Sequence, residues 1–219
     1  MIKAVIFDMD GILFDTERLA VQSWEKAGQD MGIKGMGDVV PFVLGLNDTA
    51  SLPYVMKVVG DHPFDYADFR ARAKAYSFAH FEKYGVPIKD GVRIALSYLK
   101  ENGYKTAVGT STIRETAMHH FEQTGLKEYF DAFACGDEIK NSKPAPDVFL
   151  LAAERLGVSP ECCLVMEDSP NGIKAAAAAG MAPVMVPDLA QPTDEIKPLI
   201  AHQLISLAQL PNLLQKLKK

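Results

Sequence analysis

The chain has 219 residues, of which 48% are hydrophobic and 23% charged, and carries a formal net charge of −5. That length buries a sizeable core and leaves room for one domain with a smaller insert, and the acidic balance lacks the electrostatic footprint that nucleic acid requires. No apolar run approaches the roughly 20 residues that cross a bilayer, and the first one is short and broken by Asp8, unlike a secretory leader, so a cytoplasmic protein without a membrane partner is expected.

The first element predicted is a strand, Ala4-Val5-Ile6-Phe7, whose unbroken apolar character suits burial on both faces of a parallel sheet. After Thr16 the positions Ala20, Trp24, Ala27 and Met31 recur at helical spacing until Gly32, and Tyr66, Phe69, Ala73, Tyr76, His80 and Tyr84 repeat the pattern until Pro87. Residues 16–85 are therefore expected to be largely helical. From Lys89 onward helices and short apolar runs alternate: a helix to Asn102 closed by Gly103, a strand at Lys105 to Gly109, a helix to Thr124 closed by Gly125, and a strand from Ala132 to Cys135. A helix from Pro146 to Leu156, a strand from Cys163 to Met166, an alanine-rich helix up to Gly180, strands at Pro183 to Pro187 and Gln203 to Ile205, and a helix from Leu207 to Leu217 complete the series. Such alternation means an α/β fold with a doubly wound parallel sheet. Cys135, Cys162 and Cys163 cannot pair completely and are read as small core residues, two of them adjoining in a buried strand.

Chemistry gathers at the ends of these runs. The first delivers Asp8 and Asp10 into a turn at Gly11, where open α/β sheets bind ligands beyond the carboxyl ends of their strands. An isolated Asp-x-Asp is more often a solvated loop or a cap, so partners are needed. They follow in order: Thr110-Ser111-Thr112 after the second run, Lys143 in Asn141-Ser142-Lys143-Pro144 after the third, and Glu167-Asp168-Ser169 after the fourth. One strand end thus supplies hydroxyls, another a carboxylate pair, and a nearby loop a lysine.

With these four motifs the chain resembles the haloacid dehalogenase superfamily of phosphotransferases, and within it the branch similar to β-phosphoglucomutase, over essentially its whole length. The resemblance implies a Rossmann-like core made of residues 1–15 and 86–219, and a helical cap at 16–85 with hinges near Asp15-Thr16 and Gly85 to Asp90. It further implies a Mg²⁺-dependent phosphatase that acts on a small phosphorylated metabolite of the sugar phosphate class. Asp8 would be the nucleophile, forming an aspartyl phosphate, and Asp10 the general acid and base. Asp8, Asp168 and the backbone carbonyl of Asp10 resemble the family's metal ligands, with Glu167 either behind these ligands or an alternate to one of them. Lys143 would screen the charge of Asp8 and the phosphate, while the Thr110 hydroxyl and the Ser111 amide would hold phosphoryl oxygens. The acid at Asp10 argues against a true dehalogenase and against phosphonate cleavage, because the resembling members of those branches lack it.

Two other readings stand beside the phosphatase. Mutases of this branch carry a histidine on the first cap helix and a basic residue in a cap loop; the aligned positions here are Ala20 and Asp48, which favours hydrolysis over a phosphohexomutase, although Arg70, Arg72, Lys74 or Lys83 would restore a charge. A non-catalytic phosphoacceptor module would need Asp8 but not Asp10, Thr110, Lys143 and Asp168 together. Gly45 to Asp48 is read either as a specificity loop facing the site or as a connector with Asp48 capping the next helix. The pair His119-His120 is read as surface, since neighbours on a helix point to different faces. All the predicted catalytic residues come from one chain, so a monomer suffices.

Overall fold

The computed structural model describes residues 1–218. Among them, the elements in chain order are β1 (Ala4–Phe7), α1 (Glu17–Asp30), α2 (Val40–Val43), α3 (Asp48–Val59), α4 (Tyr66–Tyr84), α5 (Val92–Glu101), β2 (Lys105–Gly109), α6 (Arg114–Thr124) and β3 (Ala132–Ala134). There follow α7 (Asp147–Leu156), β4 (Cys163–Glu167), α8 (Pro170–Ala178), β5 (Ala182–Met185), β6 (His202–Gln203) and α9 (Leu210–Leu217). The strands form a single parallel sheet in the order β3-β2-β1-β4-β5-β6.

Strand side chains alternate between the two faces of this sheet. In β1, Val5 and Phe7 enter one apolar cluster with Leu96 and Leu99 of α5, Phe121 of α6 and Leu214 of α9. Ala4 and Ile6 enter the other, with Phe149 and Ala152 of α7 and Ala175 and Ala176 of α8. Helices thus cover both faces, which is why every residue of β1 and β4 is buried and why β1, and β4 up to Glu167, are apolar runs. The alanines of α8 leave no bulk between helix and sheet.

Three local readings are corrected. The final strand is shorter than Gln203 to Ile205 and lies one residue earlier, because only His202 and Gln203 pair with β5, while Ile205 is exposed. Cys162 sits half-buried in a 3-10 turn before β4 rather than in the strand itself. The buried stripe of α4 is Phe69, Ala73 and Phe81; Tyr84, read as its last member, is exposed.

Helices α1 to α4 build a third apolar cluster around Trp24, Met36, Val55 and Phe69, with Trp24 and Phe69 edge to face at 5.3 Å between centroids. The two chain passages joining this helical part to the sheet run side by side: the Asp15 amide donates to the Pro87 carbonyl at 2.9 Å and the Lys89 amide to the Leu13 carbonyl at 3.0 Å. The buried carboxylate of Asp188, in the loop after β5, pairs at 2.8 Å with Arg18 in the first turn of α1 and at 2.8 Å with Lys89 on the second passage. Among the described residues, no helix is long and apolar enough to cross a membrane.

Candidate active site

Because β1 is flanked by β2 and β4, the residues that leave these three strands meet above the middle of the sheet, at the reversal of strand order where α/β folds bind ligands. Asp8 follows β1 and its amide donates to the Met166 carbonyl at 2.9 Å. Thr110 follows β2, Glu167 closes β4 and Asp168 follows it; all are buried. Lys143 arrives on the loop before α7 with a fully buried side chain, and its Nζ donates at 2.7 Å to Asp8 Oδ1 and at 2.7 Å to Glu167 Oε1. The remaining oxygen of Glu167, Oε2, accepts from the Ser169 amide at 2.6 Å. Glu167 is therefore fully engaged by the protein.

Asp168 is not. It is 1% exposed, and neither of its carboxylate oxygens has a hydrogen-bond donor among the described residues. Burial, then the neighbouring acids Glu17, Glu167 and Asp8, push its carboxyl well above the ordinary range. Burial likewise raises Asp8 to about 7, against the opposing pull of Lys143. Burial disfavours the charge of Lys143, but Asp8 and Glu167 outweigh it and hold the ammonium above its usual pKa. Three carboxylates around one ammonium leave an excess of buried negative charge, which is unfavourable unless a proton or cation compensates it. Oxygens of Asp8, Glu167 and Asp168 lie within 4.8 Å of one another, a set of hard donors that fits a divalent cation such as Mg²⁺.

Glycines make this crowding possible. A Cβ on Gly11, whose φ is +78°, would lie 2.3 Å from Asp168 Oδ2, and one on Gly172 would lie 1.7 Å from Glu167 Oε1.

Asp10, predicted beside Asp8, has its carboxylate turned to two hydroxyls: Thr16 donates to Oδ1 at 2.5 Å and Thr112 to Oδ2 at 2.8 Å. Its side chain is outside the cluster of Asp8, Glu167 and Asp168. Thr110 Oγ1 accepts from the Thr112 amide at 3.0 Å, while the Ser111 hydroxyl donates to the Gly45 carbonyl at 2.7 Å. The loop at Gly45 thus touches the site, and Asn47, not Asp48, caps α3 by accepting from the Ala50 amide.

Sequence reasoning missed Glu17, the first residue of α1, buried beside Asp168 and raised to about 8 chiefly by burial. Its place directly after the first motif was the available signal. It also missed the threonines that hold Asp10. The surface reading of His119-His120 is wrong: His120 is 4% exposed, and both imidazoles line the main cavity, since α6 packs against α4 along this seam.

That cavity measures about 880 Å³ and extends from Asp8 and Asp10 to α1, the Gly45 loop and α4. Ala20 and Asp48 both line it. Of Arg70, Arg72, Lys74 and Lys83, Arg70 and Lys74 reach it, but Arg70 is paired with Asp48 at 2.8 Å and lies over the Trp24 ring at 4.8 Å. Arg72 is paired with Asp68 instead.

Residues 5–186 match the haloacid dehalogenase-like hydrolase family. A phosphorylated carbohydrates phosphatase of Thermotoga maritima is 35% identical over 179 residues, covering 82% of this chain and 82% of the relative. Fructose-1-phosphate phosphatase YqaB of Escherichia coli is 34% identical over 185 residues, covering 81% and 92% of the two chains. Among solved structures, β-phosphoglucomutase from Clostridium difficile superposes with a TM-score of 0.83 at 25% identity, covering 99% of this chain and 96% of the other. CbbY from Rhodobacter sphaeroides in complex with phosphate gives 0.80 at 25% identity, with 96% of each chain covered. The chain belongs to the haloacid dehalogenase-like hydrolase family.

Proposed function

We propose that this protein is a divalent-metal-dependent phosphomonoesterase that hydrolyses phosphorylated sugars or related small polyol phosphates through an aspartyl phosphate on Asp8, with residues 16–85 as a cap over a core of 1–15 and 86–219. The observation that carries the proposal is the single ammonium of Lys143 bridging Asp8 and Glu167 beside the carboxylate of Asp168, which has no hydrogen-bond partner among the described residues.

A phosphate monoester repels an approaching carboxylate, so attack by Asp8 requires neutralisation on both sides. Lys143 supplies one fixed positive charge. Asp8, Asp168 and the Asp10 carbonyl would hold Mg²⁺, with Glu167 behind them because the protein already engages both its oxygens. Bound there, the ion supplies the charge neutralisation that brings carboxylate and phosphoryl group together. The Asp8 carboxylate attacks phosphorus as the bond to the leaving oxygen breaks, and Asp10 gives that oxygen its proton. Asp10, now a carboxylate, takes a proton from water as the water attacks the aspartyl phosphate, which releases phosphate and restores Asp8. Thr110 and the Ser111 amide hold phosphoryl oxygens; the Ser111 hydroxyl is occupied by Gly45 and couples the phosphate site to the cap.

Hydrolysis is favoured over a mutase because Ala20 stands where that branch carries a histidine and Asp48 pairs with Arg70, which leaves Lys74 as the other of those four cations that lines the cavity. The phosphatase names of the curated relatives support the same reading, and their substrates support sugar phosphates. The test is incubation of the protein and of Asp8→Asn with Mg²⁺ and a panel of hexose and hexitol phosphates, including β-glucose 1-phosphate with and without a bisphosphate activator. Phosphate release that the Asp8→Asn variant loses, with its circular dichroism unchanged, is expected. Isomerised product without phosphate release would overturn the hydrolase reading.

A further inference from the structure

His120 belongs to the core helix α6, but its ring is held edge-on by Phe14, on the passage leading to the cap, at 5.8 Å and by Phe81 of the cap helix α4 at 4.9 Å. Its neighbour His119 stacks on Phe78 of α4 at 5.2 Å, and the closest acid, Glu82, lies 3.6 Å from Nε2, beyond hydrogen-bonding reach. Glu82 Oε1 accepts from Gln123 instead, at 3.2 Å. Both imidazoles line the cavity that contains Asp8, and among the described residues neither His120 Nδ1 nor His119 Nε2 has a hydrogen-bond partner. Both rings border one cavity and each buries a nitrogen without a partner among the described residues, which is unfavourable in the empty protein, since each such nitrogen forfeits the hydrogen bond it would make to water.

We infer that His120, assisted by His119, is a specificity-determining residue that hydrogen-bonds a hydroxyl on the leaving group of the substrate at the seam between core and cap. A neutral imidazole offers one donor and one acceptor, as a hydroxyl does, so the two are matched without a charge on either. Burial lowers the His120 pKa, with Asp10 opposing, which keeps the ring neutral. The surroundings suit a hydroxylated carbon skeleton: Thr116 and Ser77 also line the cavity, Ser77 with its hydroxyl donated to Ser23 at 2.9 Å, and Phe78 and Phe81 add apolar surface. A purely apolar leaving group would leave the nitrogens unsatisfied, which makes the wall selective. This inference rests on the phosphomonoesterase reading and names the part of the site that chooses among esters.

The test compares two esters, a hexitol phosphate such as sorbitol 6-phosphate and phenyl phosphate, whose leaving group has no hydroxyl beyond the ester oxygen. His120→Phe retains the ring shape between Phe14 and Phe81 and removes both nitrogens; His120→Asn keeps a polar amide near the position of Nδ1. For His120→Phe, kcat/KM on the hexitol ester should fall roughly 10-fold to 100-fold while that on phenyl phosphate holds, the usual scale for losing a hydrogen bond a site is built to make. His120→Asn should retain more of the preference. A ratio of the two esters within about twofold of wild type in His120→Phe, or equal losses in both variants, would overturn the inference. Wild-type protein inactive on both esters and on the panel above would instead overturn the phosphatase reading.

Discussion

Gly172 is the third residue of α8, where alanine would ordinarily stabilise a helix by about 1 kcal/mol. Here the added Cβ would lie 1.7 Å from Glu167 Oε1, 1.8 Å from its Cδ and 2.5 Å from Oε2, so the carboxylate has to retreat by well over an ångström. Retreat breaks both of its hydrogen bonds, 2.7 Å to Lys143 Nζ and 2.6 Å to the Ser169 amide. At roughly 1.5–3 kcal/mol for each bond to a charged group, less the helix gain, Gly172→Ala should lose about 2–5 kcal/mol. For a chain of this size that lowers Tm by roughly 5–15 °C. Lys143 would be left on Asp8 alone, so phosphate release should fall as well. Gly103→Ala is the control: its φ is +70° and its Cβ meets no described atom within 4 Å, so it should cost about 1 kcal/mol of backbone strain and leave turnover unchanged. Thermal unfolding and phosphate release measured on both variants decide the matter. A Gly172→Ala protein as stable and active as wild type would mean that Glu167 is not held by the packing described.

Four further outcomes are expected. Glu138 accepts from Arg114 and Arg155 at 2.9 Å each and from the Cys135 amide, and Arg155 foremost lowers its pKa to about 2. A carboxyl depressed in the folded state stabilises above its unfolded value of 4.5 and loses that contribution as pH falls towards 2, so the stability gap between wild type and Glu138→Gln, about 1–2 kcal/mol near neutrality after screening and read from their Tm values, should close over that window; a gap unchanged at pH 2.5 would refute the pairing. Phe69→Ala should cost about 3–5 kcal/mol in the α1–α4 cluster, read as faster amide exchange in those helices than in the sheet; uniform acceleration would mean that both parts unfold as one. Asp10→Asn should slow turnover by roughly 10² to 10⁴ fold, and an undiminished rate would remove Asp10 from proton transfer. EDTA should abolish phosphate release and lower Tm, both restored by Mg²⁺, because the cation offsets the buried charge of Asp168; metal-independent turnover would contradict the ligand assignment.

The apolar runs of β1 and β4, the glycines closing α5, α6 and α7, and the acids and lysine at strand ends all express local physics: burial on both faces, termination of a helix, a turn. Sequence therefore determined the parallel sheet and the largely helical stretch of residues 16–85, and its motifs marked Asp8, Thr110, Lys143, Glu167 and Asp168 as one set; the strand order that brings their loops together belongs to the structure. Only the tertiary structure decided how each of those groups is satisfied. That Lys143 spans two carboxylates, that Thr112 takes Asp10, that Arg70 is spent on Asp48 and that His120 is buried against Phe14 and Phe81 are pairings between residues far apart in the chain. A histidine pair on a helix carries no sign of which face a second layer of helices will cover, and Glu17 follows its motif without showing that it is buried against Asp168. Periodicity encodes which side of an element is apolar; what packs on it depends on the path of the rest of the chain.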